Sequence, residues 1–115
     1  MKRFKLNGEG PLTLGEIARD VVLDYAKKNP KMDAEAIRDV FLKACKDVRI
    51  PHIVETEADY HLRDGQKSQK RTVKEIIIPT GEKLYVSNQW RAKKPKDNFN
   101  QFKDVVSRMR WGKIV

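Results

Sequence analysis

A dense run of positive charge follows a tryptophan in the segment SNQWRAKKPKDN, residues 87–98. Four cations occur within six residues of this run: Arg91, Lys93, Lys94 and Lys96. Ammonium and guanidinium groups at this density attract polyanions, and nucleic-acid phosphates are the polyanion that such a basic footprint indicates. The segment is therefore a candidate contact surface for phosphates.

The net positive charge of the chain comes entirely from its second half. The 115 residues carry a net charge of +9, with a pI near 9.8. Lys and Arg equal Asp and Glu in residues 1–59, whereas residues 60–115 hold 14 cations and five acids. We expect the second-half cations to act in three groups: Lys67, Lys70, Arg71 and Lys74; Arg91, Lys93, Lys94 and Lys96; Lys103, Arg108 and Arg110. Cations of this kind position a nucleic acid by its phosphates without reading bases.

Trp90 and the two amides before it have two interpretations. An exposed tryptophan among cations stacks on unpaired bases, and the amides of Asn88 and Gln89 could read adenine edges. A tryptophan at a strand end more commonly covers a core, and loop amides more commonly satisfy backbone groups. We favour the structural interpretation for N-Q-W and the contact role for the R-A-K-K-P-K that follows.

The residue types that carry catalysis are sparse and badly spaced. His52 and His61 lie nine residues apart, without a Cys-x-x-Cys pair, so we expect no metal site and no cofactor. Cys45, the only cysteine, falls on the apolar face of a predicted helix and is expected in the core. No phosphate-binding glycine loop or nucleophile motif occurs. We assign no catalytic residue.

Two other functions stay open beside a non-enzymatic nucleic-acid-binding role. A metal-independent ribonuclease toxin needs only a few positioned cations and a base. Its candidates here would be His61, Arg63, Lys70, Arg71 and Arg91. A protein-interaction module for an acidic partner would use the same cations.

Helix signals dominate the first half of the chain. Thr13 and Glu16 have the spacing of a capping box, and the apolar stripe after them ends at Asn29-Pro30. A second helix is predicted from Asp33, because apolar residues recur every three or four positions up to Val48.

Strand signals follow. RIPHIV, residues 49–54, is predicted as a short edge strand, and ETEADYHLRDGQKSQKR as a loop or a loose hairpin. TVKEIIIP and EKLYVSNQW, separated by Thr80-Gly81, predict a β-hairpin. A last helix begins near Asp97 or Asn98, where Asn98 and Gln101 could cap each other's backbone. KRFKL and WGKIV are short strands at the two ends of the sequence.

These elements predict one α+β domain over residues 1–115, with two N-terminal helices packed on a small antiparallel sheet and a C-terminal helix. A winged-helix-like layout is possible, although a third helix before the hairpin is not evident. No apolar run is long enough to span a bilayer, no secretory signal is present, and the single cysteine suits a reducing compartment. We therefore expect a cytoplasmic protein with no membrane partner.

Several runs resemble a small bacterial domain family of unsettled function. They are GEKLYVSNQW, NFNQF and WGKIV, together with the earlier VVLDYAKKNP. The family is marked by a strand-end N-Q-W followed by an N-F-x-x-F helix start, and its members resemble accessory DNA-associated proteins more than enzymes. The resemblance therefore implies a DNA-associated role. Residues RAKKPKD replace the family's small loop after Trp90, so the added cations would be specific to this protein.

Overall fold

The structure is a computed structural model that describes residues 4–50, 52–64, 73–92 and 97–115, with the backbone alone described at positions 63 and 64. Nine helices and strands occur in these ranges. They are β1 (Phe4–Leu6), β2 (Glu9–Leu12), α1 (Leu14–Lys28), α2 (Ala34–Ala44), β3 (Val54–Thr56), α3 (Glu57–Asp64), β4 (Val73–Ile77), β5 (Lys83–Ser87) and α4 (Asn98–Met109). The predicted α+β class is confirmed.

The first two helices begin where their capping residues predict. The Thr13 hydroxyl accepts the Glu16 backbone N–H at 3.2 Å, and Glu16 accepts the Thr13 N–H at 2.8 Å, so the capping box is confirmed. Asp33 caps α2 through the Ala36 N–H. The α2 N-terminus also receives Glu82, whose carboxylate accepts the Ala34 N–H at 3.1 Å. Glu82 therefore anchors the hairpin turn to α2.

The main sheet contains three antiparallel strands in the order β3-β5-β4. The predicted hairpin is confirmed, with Ile76 opposite Leu84 and Lys74 opposite Val86. These side chains point to one face of the sheet because alternate residues share a face. Helix α1 packs against β4 and β5, while α2 packs against β3 and β5. The side chains on this face, with those of α1 and α2, form the core.

Helix α3 replaces the predicted loop, which was wrong over residues 57–64. Tertiary contacts stabilise it. The Asp59 carboxylate accepts a hydrogen bond from the Arg38 guanidinium at 2.7 Å, and Asp59 and Thr56 exchange backbone–side-chain hydrogen bonds. The Tyr60 ring stacks on the Tyr85 ring, with their centroids 4.3 Å apart. Tyr85 lies on the sheet face opposite the core face, so α3 packs on that side. A helix therefore does precede the hairpin.

Two further predictions are corrected. The strand expected at residues 49–54 lies at Val54–Thr56, after His52, which has a left-handed φ of 53°. Asn98 and Gln101 do not cap each other; both side chains bond to neighbouring segments. The end of the sequence does pair as a strand, but with β1: Leu6 bridges Ile114, and Lys5 and Val115 exchange two backbone hydrogen bonds.

Aromatic side chains join α4 to the rest of the core. Phe99 contacts Phe4 and Trp90, and Phe102 lies 4.7 Å from Trp90 between ring centroids. Cys45 is 5% exposed within this core, as predicted. No helix in the described ranges has both the length and the apolar composition that crossing a membrane requires.

Candidate nucleic-acid interface

The structure describes five of the residues predicted to contact nucleic acid: Lys74, Trp90, Arg91, Arg108 and Arg110. The other six lie outside the described residues: Lys67, Lys70, Arg71, Lys93, Lys94 and Lys96. The geometry of the candidate interface therefore rests on the first set and on cations that the fold brings beside it.

Trp90 belongs to the core. It is 7% exposed, its indole N–H donates to the Ser87 carbonyl at 2.8 Å, and its ring packs on Phe99 and Phe102. The structural interpretation of this residue is confirmed. A ring held in this way cannot stack on a base without leaving the core, so we exclude Trp90 from the interface.

The Asn98 side chain forms hydrogen bonds to residues just before the connecting segment 92–97, which we call the basic loop. Its oxygen accepts the Arg91 N–H at 2.8 Å, and its nitrogen donates to the carbonyls of Gln89 and Arg49, both at 3.1 Å. The Phe99 N–H donates to the Arg91 carbonyl at 3.0 Å, which brings the two ends of the loop together. The Asn98 side chain is buried while its partners are exposed residues, so these bonds are partly shielded from water.

The same network brings Arg49 to the loop. The Arg49 N–H donates to the Gln101 side chain at 2.9 Å, and Arg108 is near enough to Cys45 to act electrostatically on its thiol. Asn98, Gln101 and Arg108 fall within one third of the α4 circumference, because at about 100° per residue Gln101 and Arg108 lie roughly 60° and 80° from Asn98 in the same direction. The chain from Cys45 to Arg49 therefore runs beside this side of α4.

The backbones of Arg49 and Arg91 are therefore bonded to the side of α4 that carries Arg108. We call Arg49, Arg91 and Arg108 the α4 basic surface. All three are exposed, and no carboxylate among the described residues forms an ion pair with them. Arg38 is the opposite case, since it is bound to Glu35, Asp39 and Asp59.

Free cations are typical of the second half in general. Seven of its Lys and Arg side chains are described: Lys74, Lys83, Arg91, Lys103, Arg108, Arg110 and Lys113. Among the described residues, only Lys83 of this set has a carboxylate partner, and it pairs with Glu57 and Glu75. Acidic groups also occur on the α4 side, where Asp97 and Asp104 are partly or fully exposed. Arg91, Arg108 and Arg110 are nevertheless exposed with no ion pair to another described residue.

Three other predicted cations are described by the structure, namely Arg110, Lys74 and Lys103. Arg110 is exposed at the left-handed C-cap of α4, two residues beyond Arg108. Lys74, in β4, is half-buried beside the start of α1. A Cβ added to Gly15 would lie 2.9 Å from the Lys74 Cε. Lys103 is on another side of α4, with its ammonium 5.7 Å from the Phe4 ring centroid.

Asn88 has a packing role. A Cβ added to Gly15 would lie 1.6 Å from the Asn88 Oδ1, so this amide packs directly on the first turn of α1. Hydrogen bonds with Thr13 lower the pKa of Glu16 in that turn, and the nearby Lys74 ammonium lowers it further. Glycine at position 15 thus lets the end of β5 approach α1 closely.

The residues required for catalysis do not converge in the described structure. No group of three His, Cys, Asp or Glu side chains in the described ranges could hold a metal ion. His61 is exposed on α3, and Arg91 is bonded through its backbone to α4. Lys70, Arg71 and the Arg63 side chain, proposed for a ribonuclease, lie outside the described residues.

Sequence inspection missed Arg49 and Asn98 as parts of the interface. Arg49 lies in the half of the chain where charges cancel, and 49 residues separate it from its hydrogen-bond partner Asn98. The only local signal was the position of Asn98 at a helix start, and that signal indicated a cap instead.

Comparisons of the chain with protein-family models, with curated proteins and with solved structures found no match. The resemblance described above therefore remains an expectation, and the site itself carries the functional proposal.

Proposed function

We propose that the protein binds nucleic acid, with DNA as the expected form, through phosphate groups at the α4 basic surface and without catalysing a reaction. One observation supports the proposal: Arg49, Arg91 and Arg108 are exposed, the backbones of the first two bond to the side of α4 that carries the third, and no carboxylate among the described residues pairs with them. Guanidinium groups bind phosphates bidentately, and an arginine free of intramolecular ion pairs loses no internal bond on binding.

The spacing of these arginines suits an extended polyanion. Arg91 is bonded to the first residue of α4, and Arg108 lies in its last turn. A rise of 1.5 Å per residue separates these positions by roughly 15 Å along the helix axis. Duplex DNA carries one charge per roughly 1.7 Å of axis with both strands counted, so roughly 15 Å of duplex contains about nine phosphates, some of which face a surface on one side. Several contacts can therefore form at once.

The loop between Ala92 and Asp97 adds charge to the same place in the sequence. Lys93, Lys94 and Lys96 lie between two ends that the Asn98 network holds together. Their contribution remains a prediction from the sequence.

Binding is tested by fluorescence polarisation with a labelled duplex over a series of salt concentrations. We compare the unmodified protein with Arg49→Gln, Arg91→Gln and Arg108→Gln. Each loss of a phosphate contact should lower the log–log salt slope by about 0.9 and weaken binding for every duplex sequence alike. Affinity that is independent of salt, or slopes unchanged in all three variants, would contradict the proposal.

The matched control is Lys27→Gln. Lys27 is exposed in the last turn of α1, so its removal changes the net charge by the same amount at a different place. A surface-specific contact predicts that this variant keeps nearly the original slope. Gel analysis of a labelled RNA strand after incubation in EDTA distinguishes the ribonuclease alternative, which predicts cleavage products.

A further inference from the structure

We infer that the ligand is double-stranded rather than single-stranded nucleic acid, an inference that rests on the proposed function and specifies its substrate class. The evidence is the position of the aromatic side chains, all of which are described by the structure.

Every Phe, Tyr and Trp side chain of the chain is engaged in packing, whereas the His52 and His61 rings are exposed outside α4. Seven are buried: Phe41, Tyr60, Tyr85, Trp90, Phe99, Phe102 and Trp111. The two half-buried rings are occupied as well. Phe4 lies against Phe99 and beneath the Lys103 ammonium, and Tyr25 makes edge contacts with Phe41 and Trp111.

Single-strand binding depends strongly on such rings. Proteins that hold unpaired strands place bases on aromatic side chains, and each stacked base contributes roughly a 5- to 150-fold gain in affinity. The α4 basic surface is formed by Arg49, Arg91 and Arg108. The aromatic residue next to Arg91 in the chain, Trp90, is bonded to Ser87 and packs on Phe102. Phosphate attraction therefore has to supply most of the affinity.

Phosphate attraction by a rigid surface favours a duplex. Asn98 joins the segments that carry Arg49 and Arg91, and α4 holds Arg108 at a set distance from them. A duplex presents its phosphates in a regular array with higher charge density than a single strand, and its salt dependence per contact is steeper. A flexible strand must first be ordered to meet the same three groups.

The test measures the affinity of the full chain for one labelled duplex and for each of its separated strands, chosen without self-complementarity. We expect the duplex to bind at least about tenfold more tightly at low salt, with a steeper slope. Tryptophan emission is recorded in the same titrations. Since Trp90 and Trp111 are both buried, saturation with single strands should leave their emission unchanged.

The outcomes separate this inference from the proposed function. Single strands that bind as tightly as the duplex, or that quench tryptophan emission, would overturn the duplex inference and leave nucleic-acid binding in place. Absence of binding to all three ligands would overturn the proposed function. Trp90→Phe serves as a second check, because it retains an aromatic core residue; a loss of affinity confined to single strands in this variant would also count against the inference.

Discussion

The Asn98 side chain and the Arg91 backbone are joined by a 2.8 Å hydrogen bond that places the start of the basic loop against the first residue of α4. The same amide donates to the Gln89 and Arg49 carbonyls, so a single buried side chain connects three segments. The positions of the arginines of the candidate interface thus depend on a residue that touches no ligand itself.

Replacing Asn98 with alanine should destabilise the fold. The Arg91 N–H and the Gln89 and Arg49 carbonyls lose a partner at a partly buried position, which costs about 1–3 kcal/mol of unfolding free energy. Urea denaturation measures the change. Asn100→Ala is the control, because the half-buried Asn100 forms one hydrogen bond, to Asp97, and should cost less than about 1 kcal/mol. Equal costs for the two variants would contradict the role of Asn98.

Gly15→Ala should be destabilising although it lies within a helix. Alanine usually stabilises a helix by about 1 kcal/mol relative to glycine. Here its Cβ would overlap the Asn88 side chain at 1.6 Å, so we expect a net loss of about 1–3 kcal/mol. In an Asn88→Ala background the same substitution should cost less, and thermal unfolding of the four proteins measures this coupling. A stabilised Gly15→Ala variant would show that the two residues do not pack closely.

The Asp59–Arg38 pair should make part of the stability pH-dependent. The hydrogen bond from the Arg38 guanidinium lowers the pKa of Asp59 below its ordinary value of 3.8. The pair therefore contributes stability above that value, and the contribution is lost as the pH falls through the lowered pKa. We expect Asp59→Asn to be less stable than the unmodified protein near pH 7, with the difference shrinking at about pH 3. A difference independent of pH would contradict this assignment.

A suitable control for this titration is Asp24→Asn. Its partner Lys28 is 69% exposed, so the ion pair should contribute little at either pH.

Cys45 should be unreactive in the folded protein. Burial raises the pKa of its thiol to about 12, and the thiolate is the form that reacts with disulfide reagents. Absorbance after addition of a thiol-reactive chromogenic disulfide should therefore rise slowly in buffer near pH 8 and rapidly in urea. The same rate in both solutions would contradict a buried Cys45.

Removing a negative charge from the interface side of α4 should tighten nucleic-acid binding. Asp104 is exposed and precedes Arg108 by one helical turn, without forming an ion pair with it. Asp104→Asn removes a repulsion from phosphates, and we expect a gain of about two- to fivefold at low salt. Polarisation titration measures it, with Glu9→Gln on β2 as the control of equal charge change. Weaker binding by Asp104→Asn would place the contact surface elsewhere.

Local features of the fold were predictable because their causes are local. The Thr13–Glu16 box, the Asp33 cap and the hairpin turn involve residues a few positions apart, so their spacing indicates the structure directly. Helix α3 was missed although it has one local signal, because Thr56 and Asp59 exchange hydrogen bonds at its start with the same spacing as Thr13 and Glu16. The rest of its sequence is polar and carries no clear apolar stripe, and its other contacts, to Arg38, Lys83 and Tyr85, come from distant positions.

The amino-acid sequence by itself determined the excess of cations in the second half, the helix starts and the hairpin, since each depends on residue type and short spacing. Only the tertiary structure decided which side chains meet solvent. Trp90 and Arg91 are neighbours in the chain, yet one is buried against α4 and the other is exposed. Likewise, the segments of Arg49 and Arg91 lie together because the buried Asn98 amide, 49 residues after Arg49, bonds to both. This relationship depends on packing rather than on sequence spacing.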